Sequence, residues 1–179
     1  RGKVGTHYII GGINPVTGDN TYNGTILKCL NDEHWIYHLG VSGLNRYLDR
    51  ESIGIELCNF GYVKYINGNY ETYSKAKVNK SYVDRLPKAF RGYQTWVSYS
   101  EEQILALKSL ILQISNGHNI DIDKGLKSYL KQYDKYKSFD YMQSVINGGE
   151  YGLFSHTTVR KDKFDCYPND MLCDMILEL

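Results

Sequence analysis

Ile104, Leu107, Leu110, Ile111 and Ile114 recur at the three- and four-residue spacing of one helix face, and no other segment of the chain is as regularly patterned. Ser100-Glu101-Glu102-Gln103 stands just ahead of them with the sequence of a capping box, serine at the N-cap and glutamine three residues on. Gly117 is the expected end of the helix. A one-faced helix must bury its apolar stripe against a partner, and the residues before it supply short β-rich runs. Thr6–Ile10, Thr25–Leu30, His34–Leu39 and Ser52–Cys58 read as strands, and Asn67-Gly68 after Val63–Ile66 reads as a hairpin turn. Beyond the helix, residues 121–146 carry weaker helical patterning. Tyr151–Phe154 reads as a short strand, and Pro168 opens a last helix with Met171, Leu172, Met175, Ile176 and Leu179 on one face. Strands interleaved with helices predict an α/β fold: a single domain over residues 1–179, with a central mixed β-sheet flanked by helices and residues 61–99 as a loop and hairpin elaboration.

Composition narrows the function. Apolar residues at 42 % and charged residues at 23 % suit a globular chain and exclude a disordered one. Lys and Arg number 21 against 20 Asp and Glu, so there is no cationic surplus to neutralise a phosphate backbone, and no nucleic-acid partner is expected. No apolar run approaches the roughly 20 residues of a membrane span. The four cysteines, Cys29, Cys58, Cys166 and Cys173, form no C-x-x-C pair and no disulfide framework.

Two places carry residues suited to chemistry. Glu56 sits inside the apolar run Ile53–Leu57, where alternation turns it to the face opposite Ile55. A carboxylate there is costly unless paired or functional, although an exposed edge-strand glutamate explains it equally well. The second place is Ser155–Pro168, with His156 followed nine and ten residues later by Asp165 and Cys166. A histidine at a strand end and a returning acidic or thiol ligand can supply part of a tetrahedral Zn²⁺ site. By spacing alone a solvated basic loop is the commoner explanation.

Taken in order, these segments resemble the zinc-dependent N-acetylmuramoyl-L-alanine amidases shared by phage lysins, bacterial cell-wall amidases and peptidoglycan-recognition proteins. Thr6-His7-Tyr8-Ile9-Ile10 is similar to the family's Ser-x-His-Tyr-x-Ile strand, and Tyr37-His38-Leu39-Gly40 to its Trp-His-Ala-Gly turn. Asn45 through Ser52-Ile53-Gly54-Ile55-Glu56-Leu57 resembles its Asn…Ser-Ile-Gly-Ile-Glu segment. Tyr99–Leu112 resembles its Tyr-Thr-x-x-Gln helix, and Ser155–Pro168 its Gly-His-x-Asp…Lys-x-Asp-Pro loop. The resemblance implies a hydrolase that cuts the amide between N-acetylmuramic acid and L-alanine in peptidoglycan, with Zn²⁺ as cofactor. It implies His156 and Asp165 as metal ligands, with Cys166 the competing ligand; the position of Lys163 two residues earlier favours Asp165. It implies Glu56 as the carboxylate that activates water, Lys163 as the oxyanion partner, and His38 and Asn45 in the substrate groove. His7 matches a position that is not a ligand. The family's first zinc-binding histidine lies on a strand well before the Ser-x-His-Tyr segment, so that ligand is expected upstream of Arg1, and residues 1–179 alone are expected to bind zinc poorly. The site of action implied is the bacterial cell wall, reached by a phage lysin or by an exported bacterial protein. A module that binds peptidoglycan without cutting it, or a virion component with the same fold, is the alternative.

Overall fold

The computed structural model describes residues 4–41 and 43–179. Its strands in chain order are β1 (Tyr8–Ile10), β2 (Ile26–Lys28), β3 (Ile55–Leu57), β4 (Lys64–Ile66), β5 (Asn69–Glu71), β6 (Lys77–Val78), β7 (Val83–Phe90) and β8 (Tyr93–Val97). The helices are α1 (Glu101–His118), α2 (Leu126–Gln132), α3 (Lys135–Ser138), α4 (Gln143–Ile146), α5 (His156–Val159) and α6 (Asp170–Glu178). The α/β class is the expected one, a mixed sheet with helices packed on it, but the strands fall into three small sheets. The mixed sheet has the order β2-β1-β3, with β2 antiparallel to β1 and β3 parallel to it, so that Ile9 stands opposite Glu56. β4-β5-β6 forms an antiparallel sheet, and β7 with β8 a long hairpin. Residues 61–99 therefore contain five strands, more regular structure than a loop and one hairpin.

α1 forms where its stripe predicts, and the apolar positions of that stripe are all buried. Each such side chain contributes roughly 1.5–3 kcal/mol of transfer free energy before chain entropy is counted. The cap is half of the expected box. Ser100 accepts a hydrogen bond from the Gln103 amide at 3.1 Å, but the Gln103 side chain does not return it. Instead the buried carboxamide donates to the Ile10 carbonyl at 3.2 Å and the Cys58 carbonyl at 3.0 Å, tying the helix to the ends of β1 and β3. The helix runs through Gly117 and stops at Asn119, which takes the left-handed conformation (φ 53°) that asparagine tolerates. Asn67 and Gly68 both have positive φ and make the β4–β5 turn as expected.

Three segments differ from the sequence reading. His34–Leu39 is not a strand: only Tyr37 pairs, in an isolated bridge to Val4, and the buried Asp49 carboxylate takes up the His38 and Leu39 amides that a ladder would have used. Tyr151–Phe154 is not a strand either, since Leu153 alone bridges to Gly125. His156 consequently stands at the first position of the short helix α5 rather than at a strand end. At the C-terminus Asn169, not Pro168, caps α6 by accepting from the Leu172 amide.

Candidate functional site

A cleft of about 550 Å³ opens beside β3. Its polar wall carries Glu56, His38, His156 and Asp165, and its apolar floor comes from Ile55, Ile111, Ile114 and Leu153. Three distant stretches meet here for identifiable reasons. The β1–β3 pairing places Glu56. The Asp49 carboxylate, accepting from the His38 and Leu39 amides at 3.0 and 2.9 Å, fixes the turn after Tyr37. α5 and the loop after it bring His156 and Asp165. Gly54 makes close packing possible, because a Cβ on it would stand 2.8 Å from the His38 ring and 3.0 Å from Thr6 Oγ1.

The orientation of His156 is the most informative detail. Its Nε2 faces the Leu39 carbonyl at 2.9 Å, and a carbonyl can only accept, so Nε2 carries a hydrogen. Its Nδ1 faces Asp165 Oδ2 at 3.0 Å. A neutral imidazole so oriented turns a lone pair toward a carboxylate, an arrangement that needs a cation shared between them. A proton on Nδ1 satisfies it, and so does a metal ion. Two donor atoms each about 2.0–2.1 Å from a tetrahedral zinc stand about 3.3 Å apart, and a metal-bound histidine usually donates its other N–H to a carbonyl or carboxylate. The pair fits one edge of such a site. Among the described residues, however, no group of three or more His, Cys, Asp or Glu is placed to hold a metal ion.

The electrostatics separate the two carboxylates. The cleft wall desolvates Glu56 and Asp165 repels it, which together push its pKa above the ordinary glutamate value despite His156 and Lys163. Burial would also raise Asp165, but the hydrogen bond and charge of His156, with help from Lys163, outweigh it and hold that carboxyl low. One is thus a carboxylate that takes up a proton readily, and the other a carboxylate that stays ionised.

Cys166 borders the same cleft as Asp165, but its thiol makes different contacts. It is enclosed against the Tyr99 hydroxyl, and burial with the neighbouring Asp165 charge pushes its thiol up to about 12. The next residue, Tyr167, is sandwiched between Trp96 and Tyr99 at centroid distances of 4.8 and 5.0 Å. Lys163 is half-buried, and its charge is felt by both Glu56 and Asp165. His38 lines the cleft but is held in its wall, with Nδ1 on the Ile36 carbonyl at 2.8 Å and Nε2 on the Ser52 hydroxyl at 3.0 Å. Burial keeps its pKa below the usual histidine value. His7 is fully buried and its ring is engaged on both sides, accepting from the Gly54 amide and contacting the His34 carbonyl. The structure does not bring Asn45 to this group: it lies on the 3₁₀ turn Gly43–Asp49, outside the cleft lining.

Two contributors escape sequence reading. The Leu39 carbonyl that orients His156 is backbone and has no residue signature. Asp49 is fully buried in the fold, but in the sequence it is one acidic residue of a polar loop.

The sequence profile of the family described as N-acetylmuramoyl-L-alanine amidase matches residues 2–163. No curated protein and no solved structure matches the chain.

Proposed function

Since the chain belongs to the N-acetylmuramoyl-L-alanine amidase family, we propose that it hydrolyses the amide between the lactyl group of N-acetylmuramic acid and the L-alanine of the peptidoglycan stem peptide, with Zn²⁺ as cofactor. The observation that carries this reading is the His156 ring, donating through Nε2 to Leu39 and facing Asp165 through Nδ1. His156 and Asp165 are proposed as two of the protein ligands. Zn²⁺ held there would supply the Lewis acidity that polarises an amide carbonyl and acidifies water.

The remaining work falls to the chain's own groups. Glu56, on the exposed face of the edge strand β3 and partly desolvated by the cleft, takes the proton from the attacking water and returns it to the leaving amine. Lys163 offers its charge to the oxygen on which negative charge develops. The apolar floor excludes water from the far side of the cleft and strengthens both interactions. The site of action proposed is the bacterial cell wall, whether the source is a phage lysin or an exported bacterial protein. No helix among the described residues is long and apolar enough to cross a membrane.

A second reading is favoured by one specific observation: the described residues converge only two metal donors, which suits a module that binds peptidoglycan without cutting it. Zinc content and muropeptide digestion of the native protein decide between them. Stoichiometric zinc with release of a stem peptide bearing a free L-alanine amino group supports the amidase. Muropeptide binding with neither metal nor cleavage leaves the binding module.

A further inference from the structure

The loop that carries His156, Lys163 and Asp165 starts on the buried Thr157, Thr158 and Val159, and Arg160 donates to the Gly40 carbonyl at 2.7 Å. α5 is four residues long, too short to persist as an isolated helix. The β7–β8 hairpin adds a grip at each end. At its tip, Arg91 reaches across with a guanidinium that is only 10 % exposed. Nη2 donates to the Thr157 carbonyl at 2.9 Å and to Asp140 Oδ1 at 2.9 Å. Nη1 donates to the Arg160 carbonyl at 3.2 Å and to the Lys161 carbonyl. At the hairpin's base, Asp84 Oδ2 accepts from the Tyr167 hydroxyl and the Asn169 amide, both at 2.7 Å, while Ser98 holds Oδ1 at 2.7 Å. One grip falls immediately after His156 and the other shortly after Asp165.

We propose that Arg91 and Asp84 are positioning residues, and that the β7–β8 hairpin is a brace that sets the His156–Asp165 juxtaposition. The inference rests on the proposed zinc reading for its consequence, though not for its geometry. Two features favour it over general stabilisation. Three of the four Arg91 partners are carbonyls of one loop, at Thr157, Arg160 and Lys161. The Asp84 contacts end on Tyr167 and Asn169, which fix where the backbone leaves Asp165. Groups that orient metal ligands from behind typically change metal affinity or activity 10–100-fold when removed.

The test uses the native protein and three brace variants, Arg91→Met, Arg91→Lys and Asp84→Asn, with Gln103→Leu as a variant that loses stability away from the loop. The readouts are Zn²⁺ affinity by chelator competition, the ¹⁵N shifts of the His156 ring in metal-free protein, and amide exchange over residues 156–165. Arg91→Met and Asp84→Asn are expected to weaken Zn²⁺ binding by about 10–100-fold. They should also average the His156 ring signals and speed exchange in the loop while α1 stays protected. Arg91→Lys should recover only part, since an ammonium cannot reproduce the fork. The proposal is overturned if both brace variants keep wild-type ring shifts and loop exchange, or if Gln103→Leu moves the loop readouts as far as they do. Absence of Zn²⁺ binding in the wild-type protein overturns the zinc reading instead, and the ring shifts and exchange still decide the brace. Should Arg91→Met fail to fold, Arg91→Lys and Asp84→Asn carry the same comparison.

Discussion

Replacing Glu56 with glutamine separates chemistry from structure at this site. Glutamine has the same shape, so the β1–β3 pairing and the Ile55 and Leu57 packing are unaffected. Glu56 forms none of the ion pairs among the described residues, and the repulsion of Asp165 is countered by the charges of His156 and Lys163. Stability should therefore stay within about 0.5 kcal/mol of wild type, the usual range for a substitution that breaks no packing or network. Zinc content should also be unchanged, because Glu56 is not a proposed ligand. The catalytic loss should be about 10²–10⁴-fold in kcat, which is about 2.7–5.4 kcal/mol of barrier at 1.36 kcal/mol per decade. Muropeptide digestion followed by mass spectrometry measures the loss. A variant retaining more than about a tenth of wild-type kcat would refute the assignment of Glu56 as the proton acceptor.

Other predictions concern the loop, the turn and the sheet. Asp165→Ala should lose zinc and activity whereas Cys166→Ser keeps both, read by metal analysis; the reverse pattern would shift the ligand by one residue. Gly54→Ala drives a Cβ against the His38 ring, an overpacking that costs about 1–3 kcal/mol, so calorimetry should record a melting temperature lower by roughly 2–12 °C; an unchanged melting temperature would mean that the turn yields freely. Asp32 accepts from Tyr8, Lys28 and His118, and these contacts outweigh burial and hold its pKa well below 3.8. A lowered folded pKa gives stability that is present above the unfolded value and lost as pH falls through the folded one, so the urea midpoint of Asp32→Asn should lie below wild type at pH 7 and converge with it on acidification; an equal gap at pH 7 and pH 3 would contradict the network.

The features legible in the sequence are local ones. α1 declares itself because one face repeats without interruption and Ser100 can cap only a helix on its C-terminal side. β3 is legible because Ile53, Ile55 and Leu57 alternate, and the β4–β5 turn because asparagine and glycine are the residues that accept positive φ. His34–Leu39 misleads for a physical reason: the His38 and Leu39 amides are satisfied by a side chain, Asp49, eleven and ten positions further on, and no periodicity reports that. The end of α1 is misplaced because a glycine can remain inside a helix whose apolar stripe is already buried, leaving the left-handed residue to Asn119.

The candidate site depends on the opposite kind of information. His156 is turned by the carbonyl of Leu39, 117 residues earlier, and its loop is gripped by Arg91 across 66 to 70 residues. Backbone carbonyls are chemically identical at every position, so neither contact leaves a composition or a spacing to detect. Asp165 and Cys166 illustrate the consequence. They are adjacent and both capable of binding metal, and the loop spacing from His156 suits either. What distinguishes them in the fold is contact: the Asp165 carboxylate faces His156 Nδ1 at 3.0 Å, whereas the Cys166 thiol lies against the Tyr99 hydroxyl, although both border the cleft. The proposed choice of Asp165 thus rests on which side chain meets His156, and the backbone just beyond it is fixed by Tyr167, held by Asp84 from the hairpin.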